Sequence, residues 1–200
     1  MSHRIALRFL TKIDAKKCMT SEEYEDVCYC IECLLINFFK IIQIYLVALT
    51  LNTVWETFIM NISYSLLRVQ ARGWHALSSL HCSLTSLGTF VGIPLIVNFF
   101  HLYKFSEASF LLVPFILVFT FLYAPSDTEK NPMISVSERR KKHIYALATA
   151  TSVILTAFFQ TNLLIRLLLL LGMAIECVVV SPQFYKLMKR KYNNYEKYKE

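Results

Sequence analysis

Apolar residues in this chain come in blocks too long for β-strands, and polar residues collect at its two ends and between the blocks. The longest block, Leu34 to Leu67, exceeds the roughly 20 residues that a bilayer-crossing helix needs but falls short of two full spans plus a turn. Lys40 near its start reaches an inner membrane face by snorkelling, and Asn52 and Thr53 open a bend. Arg68 and Arg72 then return the chain to the same side, so the pattern predicts a hairpin of two short helices rather than one long tilted helix. The next span runs from Cys82 to about Phe100 with a kink at Pro94, and His101 to Ser106 make an outside turn. Ser109 to Tyr123 return, Pro125 to His143 form the longest polar loop, and Ile144 to about Phe159 cross again. Gln160 to Asn162 turn, and Leu163 to Val180 make the last span.

Ahead of these blocks, His3 to Lys17 reads as an amphipathic helix, because Arg4, Arg8, Lys12 and Lys16 form a cationic stripe beside Ala6, Phe9, Leu10 and Ile13. Such a helix lies on anionic lipid or packs its apolar side onto the protein's own cytoplasmic side. Thr20 and Glu23 have capping-box spacing, and Tyr24, Val27, Cys28, Ile31 and Leu35 follow at helical intervals. The expected organisation is a cytoplasmic amphipathic region over 1–33, a transmembrane domain over 34–184 and a basic cytoplasmic tail over 185–200.

Composition narrows the class. Across 200 residues, 56% are hydrophobic and 14% aromatic, beyond what a soluble core of this size requires, and mean hydropathy is +0.45. With only 4 glycines and 5 prolines and no sustained alternation, the chain is expected to be an all-α polytopic membrane protein with about six transmembrane segments, the first two short. A net charge of +7 could suggest nucleic acid, yet the basic residues lie beside apolar segments, where cytoplasmic anchoring charges belong. Six crossings with the N-terminus inside place the Arg68 region, the Arg139 run and the Lys186 to Lys199 tail in the cytoplasm, with both termini cytoplasmic. Met1 to Lys17 contains no uninterrupted apolar core of a signal peptide. Most of the six cysteines would face a reducing compartment and are expected to be thiols, and Cys28, Cys30 and Cys33 diverge around one helix, so no metal or other cofactor is expected. Glu56 and Arg166 sit near the outer interface, while Glu176 lies deeper.

Chemistry concentrates in Arg68 to Cys82, RVQARGWHALSSLHC. A cysteine attacks a carbonyl as its thiolate, and an imidazole can take the thiol proton and return it to a leaving amine. His75 and Cys82 supply these groups, but on one continuous helix residues seven apart sit about 10 Å apart along the axis. The backbone must therefore bend. Gly73 tolerates unusual backbone angles, and Ser78 and Ser79 can cap a new helix whose first turn holds Cys82. His81 adjoins Cys82 but points about 100° away on a helix, which favours His75 as the base. The alternative is a non-enzymatic transporter or sensor subunit in which both residues pack. A metalloprotease using His75, His81 and Cys82 lacks an HExxH-like helix and a nearby carboxylate.

Gly73, His75, Ala76, Ser78, Ser79 and Cys82, preceded by Arg68, resemble the signature of the accessory gene regulator B (AgrB) family of bacterial membrane endopeptidases. The likeness extends to YAPSDTEKNP at Tyr123 to Pro132, the basic run behind it, and Glu176 ahead of Pro182. It implies a catalytic pair of Cys82 and His75 that cleaves an AgrD-like quorum-sensing propeptide through a thioester, leading to a cyclic thiolactone or lactone, at the cytoplasmic face of the bacterial cell membrane. It also implies a homodimer and a substrate with an amphipathic start and an acidic end. Arg68, Arg72, Lys130, Arg139, Arg140, Lys141 and Lys142 are candidates to receive that acidic end or to enforce topology, and Glu176 to orient His75 or to bond between helices. Relatives often carry glycine where this chain has Arg72, which bears on the geometry of the turn.

Overall fold

The computed structural model describes residues 2–12, 19–74, 79–128 and 132–198. His75, Ser78 and Lys130, and the side chain of Ser79, lie outside that set. Among the described residues the chain is helical without a strand, and it divides into two compact units, residues 1–50 and 51–200.

In the first unit, α1 (Ser2–Lys12) and α2 (Ser21–Thr50) pack through Ala6, Leu10 and Cys28, with Leu7, Tyr24, Val27 and Ile31 around them. Arg8 and Lys12 remain exposed, so the cationic stripe faces away from an apolar side that packs on protein. The helix expected to reach Lys17 is described only to Lys12. At Thr20 the capping box forms reciprocally: the Thr20 N–H donates to Glu23 Oε2 at 2.8 Å and the Glu23 N–H to Thr20 Oγ1 at 3.3 Å. From that cap α2 runs 30 residues without glycine or proline to interrupt it, straight through residue 33. Cys28 is buried while Cys30 is exposed, so neighbouring thiols diverge around the axis.

The second unit opens at the expected bend. Asn52 takes a positive φ of 54°, a conformation its short polar side chain tolerates, and α3 (Val54–Ala71) follows. Helix α3 crosses α9 (Leu163–Val180) closely: Ser63 Oγ donates to the Leu169 carbonyl at 2.6 Å, and a Cβ on Gly172 would lie 2.6 Å from the Met60 carbonyl oxygen. Between them in sequence come α4 (Ser79–Leu87), a π-helical turn at Gly88–Gly92 and α5 (Ile93–Phe99). The bend expected at Pro94 thus takes the form of a widened turn that relieves the missing N–H and the clash with the preceding carbonyl. A 3₁₀ turn (Leu102–Phe105) and the short α6 (Ser106–Ser109) lead to α7 (Leu112–Tyr123), whose 12 residues span about 18 Å.

One expectation needs correcting. The polar loop placed at Pro125 to His143 ends at Ser135, whose hydroxyl accepts the Glu138 N–H at 3.3 Å, and α8 (Val136–Phe159) carries the basic run in its first turns. The cap signal of Ser135 with Glu138 at N3 outweighs the charge pattern that read as loop. Ala146, Ala150 and Ala157 of α8 pack against Leu170, Met173 and Cys177 of α9 and Ile116 of α7, small residues allowing close approach. Helix α9 keeps the bounds read from the sequence, capped by Asn162, whose side chain accepts from the N–H groups of Leu164 and Ile165.

By length and composition, 23–50, 80–99, 136–159 and 163–180 are able to cross a bilayer, which marks an all-helical membrane protein. Of the six expected crossings, α7 is short and α3 more polar. Beyond α9 the chain stays folded, through α10 (Pro182–Leu187) and a 3₁₀ turn (Asn194–Tyr198).

Candidate functional site

One end of the second unit gathers the C-termini of α3, α7 and α9 and the N-termini of α4 and α8. At this end α3 stops at Ala71, because the next two residues leave helical space. Arg72 adopts φ 57°, ψ −130° and Gly73 φ 117°. The Gly73 conformation strongly favours glycine, and a Cβ there would lie 2.7 Å from Arg68 Nη1 and 3.2 Å from Val180 Cγ1. Arg72 occupies its left-handed position without that excuse, at a cost of about 1–3 kcal/mol. It is held by its N–H donating to the Arg68 carbonyl at 2.9 Å, by the Ser126 N–H donating to the Ala71 carbonyl at 2.9 Å, and by an exposed ion pair to Glu138 at 3.1 Å.

A new helix, α4, begins at Ser79, and Cys82 sits in its first turn, half-buried, while His81 is exposed. Residues 68 to 82 therefore do not form one helix: α3 ends at Ala71, and Arg72 and Gly73 leave helical space. Nearby, Tyr64 of α3 packs edge-on against Phe90 with ring centroids 5.0 Å apart.

The sequence left Arg68 and Glu176 as separate candidates, and the structure brings them together. Arg68 Nη1 lies 3.3 Å from Glu176 Oε2, with the Glu176 side chain fully buried and that of Arg68 17% exposed. The second guanidinium nitrogen, Nη2, donates to the backbone carbonyl of Trp74. Arg68 also rests 5.9 Å from the Tyr64 ring centroid. A buried charge pair is costly unless its remaining groups are also used, and here the guanidinium also holds the Trp74 carbonyl.

The basic run divides. Lys142 Nζ donates to the Val69 carbonyl and to Gln70 Oε1, both at 3.1 Å, closing the C-terminus of α3. Arg139 lies flat on Tyr195, 3.2 Å from its ring centroid. Arg140 and Lys141 are exposed. At the opposite end of the unit, Arg166 pairs with Glu107 at 3.4 Å and Asn98 donates to Glu56 at 3.0 Å, which gives both of the other charges in the apolar region polar partners.

Sequence reasoning passed over a second cluster. Asp127 accepts the N–H groups of Asn194 and Tyr195, each at 2.8 Å, and its carbonyl accepts the Tyr185 hydroxyl at 2.8 Å. Burial pushes the Tyr185 hydroxyl up to about 12. Trp74 meets Phe184 edge-on at 5.5 Å, so the residues after α9 also brace the turn that leads to His75. The signal was present as Ser126 and Asp127 within YAPSDTEKNP, but nothing in the spacing showed what they would hold.

A family model described as accessory gene regulator B matches residues 6–180. Among curated relatives, a putative AgrB-like protein of Listeria innocua is 34% identical, covering 88% of this chain and 86% of its own. A putative AgrB-like protein of Listeria monocytogenes is 34% identical over the same shares. The accessory gene regulator protein B of Staphylococcus aureus is 31% identical over 74% of this chain and 78% of its own. No solved structure matches. A break after α3, a thiol in the first turn of α4 and a buried carboxylate on α9 thus stand in a chain that belongs to the accessory gene regulator B family.

Proposed function

We propose that this chain is a membrane-embedded cysteine endopeptidase of agr quorum sensing. It cleaves an AgrD-like propeptide through a thioester to Cys82 and so leads to a cyclic thiolactone or lactone. The observation that carries the reading is the paired break and restart: α3 ends at Ala71, two positive-φ residues follow, and Cys82 lies in the first turn of a new helix. The reading requires the chain from His75 to the first turn of α4 to depart from one continuous helix, which would keep imidazole and thiol about 10 Å apart.

In this mechanism His75 takes the Cys82 proton, the thiolate adds to the scissile carbonyl, and the protonated imidazole donates to the departing amine. The acyl group stays on sulfur until a thiol or hydroxyl within the same segment displaces it. Shielding from water favours that ring closure over hydrolysis, as expected for a half-buried thiol at a bilayer surface. Arg140 and Lys141, exposed at this end, are the candidates to receive an acidic propeptide terminus. Arg68, Arg72, Arg139, Lys142 and the basic residues after α9 gather there too, and basic bias of this kind supports a cytoplasmic site, with six crossings, two cytoplasmic termini and a homodimer in the bacterial cell membrane as the accompanying reading.

The test is co-expression with the candidate propeptide. Cys82→Ala and His75→Ala should each abolish cleavage while the chain still accumulates in membranes, and His81→Ala should retain it. Normal cleavage by Cys82→Ala would remove the mechanism.

A further inference from the structure

We infer that Arg68 is a positioning residue: held by buried Glu176, its guanidinium clamps the Trp74 carbonyl and thereby fixes the peptide plane that enters His75. The inference rests on the cysteine-peptidase reading and deepens it, since it assigns to Arg68 and Glu176 a role other than receiving substrate.

The geometry is specific to a forked side chain. One guanidinium nitrogen, Nη1, faces Glu176 at 3.3 Å while the other, Nη2, reaches the Trp74 carbonyl, so a single rigid plane ties α9 to the strained turn after α3. With Arg68 17% exposed and Glu176 fully buried, the pair has little surface left to offer an acidic peptide. The Trp74 carbonyl belongs to the planar peptide group that leads into position 75, so holding it restricts the backbone on that side of the turn. On the far side Trp74 is fixed by Phe184, and Gly73 leaves the room the guanidinium occupies, since a Cβ would meet Nη1 at 2.7 Å.

A lysine at 68 keeps the charge opposite Glu176 but has no fork to reach both acceptors. Replacing the pair together by Arg68→Met with Glu176→Leu removes both charges, which commonly leaves stability intact or improved. A purely structural salt bridge predicts that this double variant behaves like the parent, whereas a clamp predicts that it does not.

The experiment is iodoacetamide alkylation of the full chain in lipid nanodiscs at pH 7, reading Cys82 against Cys30 of α2 by peptide mass. In the parent chain Cys82 should react at least tenfold faster than Cys30. Arg68→Lys and the double variant should bring Cys82 to within about twofold of Cys30 with the Cys30 rate unchanged. A fast Cys82 in the parent and equally fast Cys82 in both variants would overturn the clamp while leaving the peptidase reading in place. A parent Cys82 no faster than Cys30 would overturn the peptidase reading itself, and the clamp with it.

Discussion

Gly73 and Arg72 share one turn and make opposite demands of it. At Gly73, φ 117° and the neighbouring guanidinium at 2.7 Å from a notional Cβ leave no place for a side chain. Gly73→Ala is therefore predicted to cost more than about 1 kcal/mol of stability and to cut propeptide cleavage about 100-fold by shifting the turn, measured in membranes matched for protein. Cleavage within twofold of the parent would contradict it. At Arg72 the strain of about 1–3 kcal/mol exceeds the worth of an exposed pair to Glu138, about 0–1 kcal/mol. Arg72→Gly should accordingly raise the thermal midpoint in detergent, and a fall would show that Arg72 holds more than its own backbone. The departure of this chain from the family's glycine was visible in the sequence, as was the need for Gly73. Less visible was that Arg68, read as a receptor for acidic substrate, is engaged by Glu176, because a pairing 108 positions apart leaves no periodicity to read.

At the scale of elements, most of the fold was legible, and the exceptions share a cause. The bend at Asn52, the capping box at Thr20, the bounds of α9 and the cysteine at the head of α4 all follow from local signals: positive φ, reciprocal caps and apolar run length. Local signals also misled where charge and cap disagreed. The basic run after Ser135 read as loop, yet Ser135 and Glu138 start α8 there, which turns Lys142 back onto the Val69 carbonyl and the Gln70 side chain near the end of α3. Lys142→Ala should thus lower stability by about 1 kcal/mol with little change in KM. Arg140→Ala with Lys141→Ala should do the reverse, raising KM for an acidic-tailed propeptide more than it lowers kcat. Equal effects on KM from both would contradict the division. The α3 and α9 crossing is tighter than any pattern revealed. Gly172→Ala places a Cβ 2.6 Å from the Met60 carbonyl oxygen and should cost about 1–3 kcal/mol, read as a lowered thermal midpoint.

For the whole molecule, the turn before His75 is braced from two directions, by Glu176 through Arg68 and by the residues after α9 through Phe184. The second brace hangs on Asp127 and Tyr185, so the residues read as a basic tail belong to the folded unit. Burial holds the Tyr185 proton until pH about 12, while an unfolded tyrosine releases it near 10. Because the unfolded state sheds the proton first, stability from this hydroxyl is complete below pH 10 and is lost as pH rises toward 12. Proteolysis of the C-terminal segment should quicken over that window in the parent and less so in Tyr185→Phe. These supports converge on one chemical claim, that Cys82 carries the acyl group. Its most direct measurement is intact mass of the purified chain, quenched in acid during turnover of its propeptide. The account predicts an adduct of the propeptide's N-terminal part on Cys82, released by neutral hydroxylamine and missing in Cys82→Ala. Turnover with no adduct in the parent, or with the same adduct in Cys82→Ala, would contradict it.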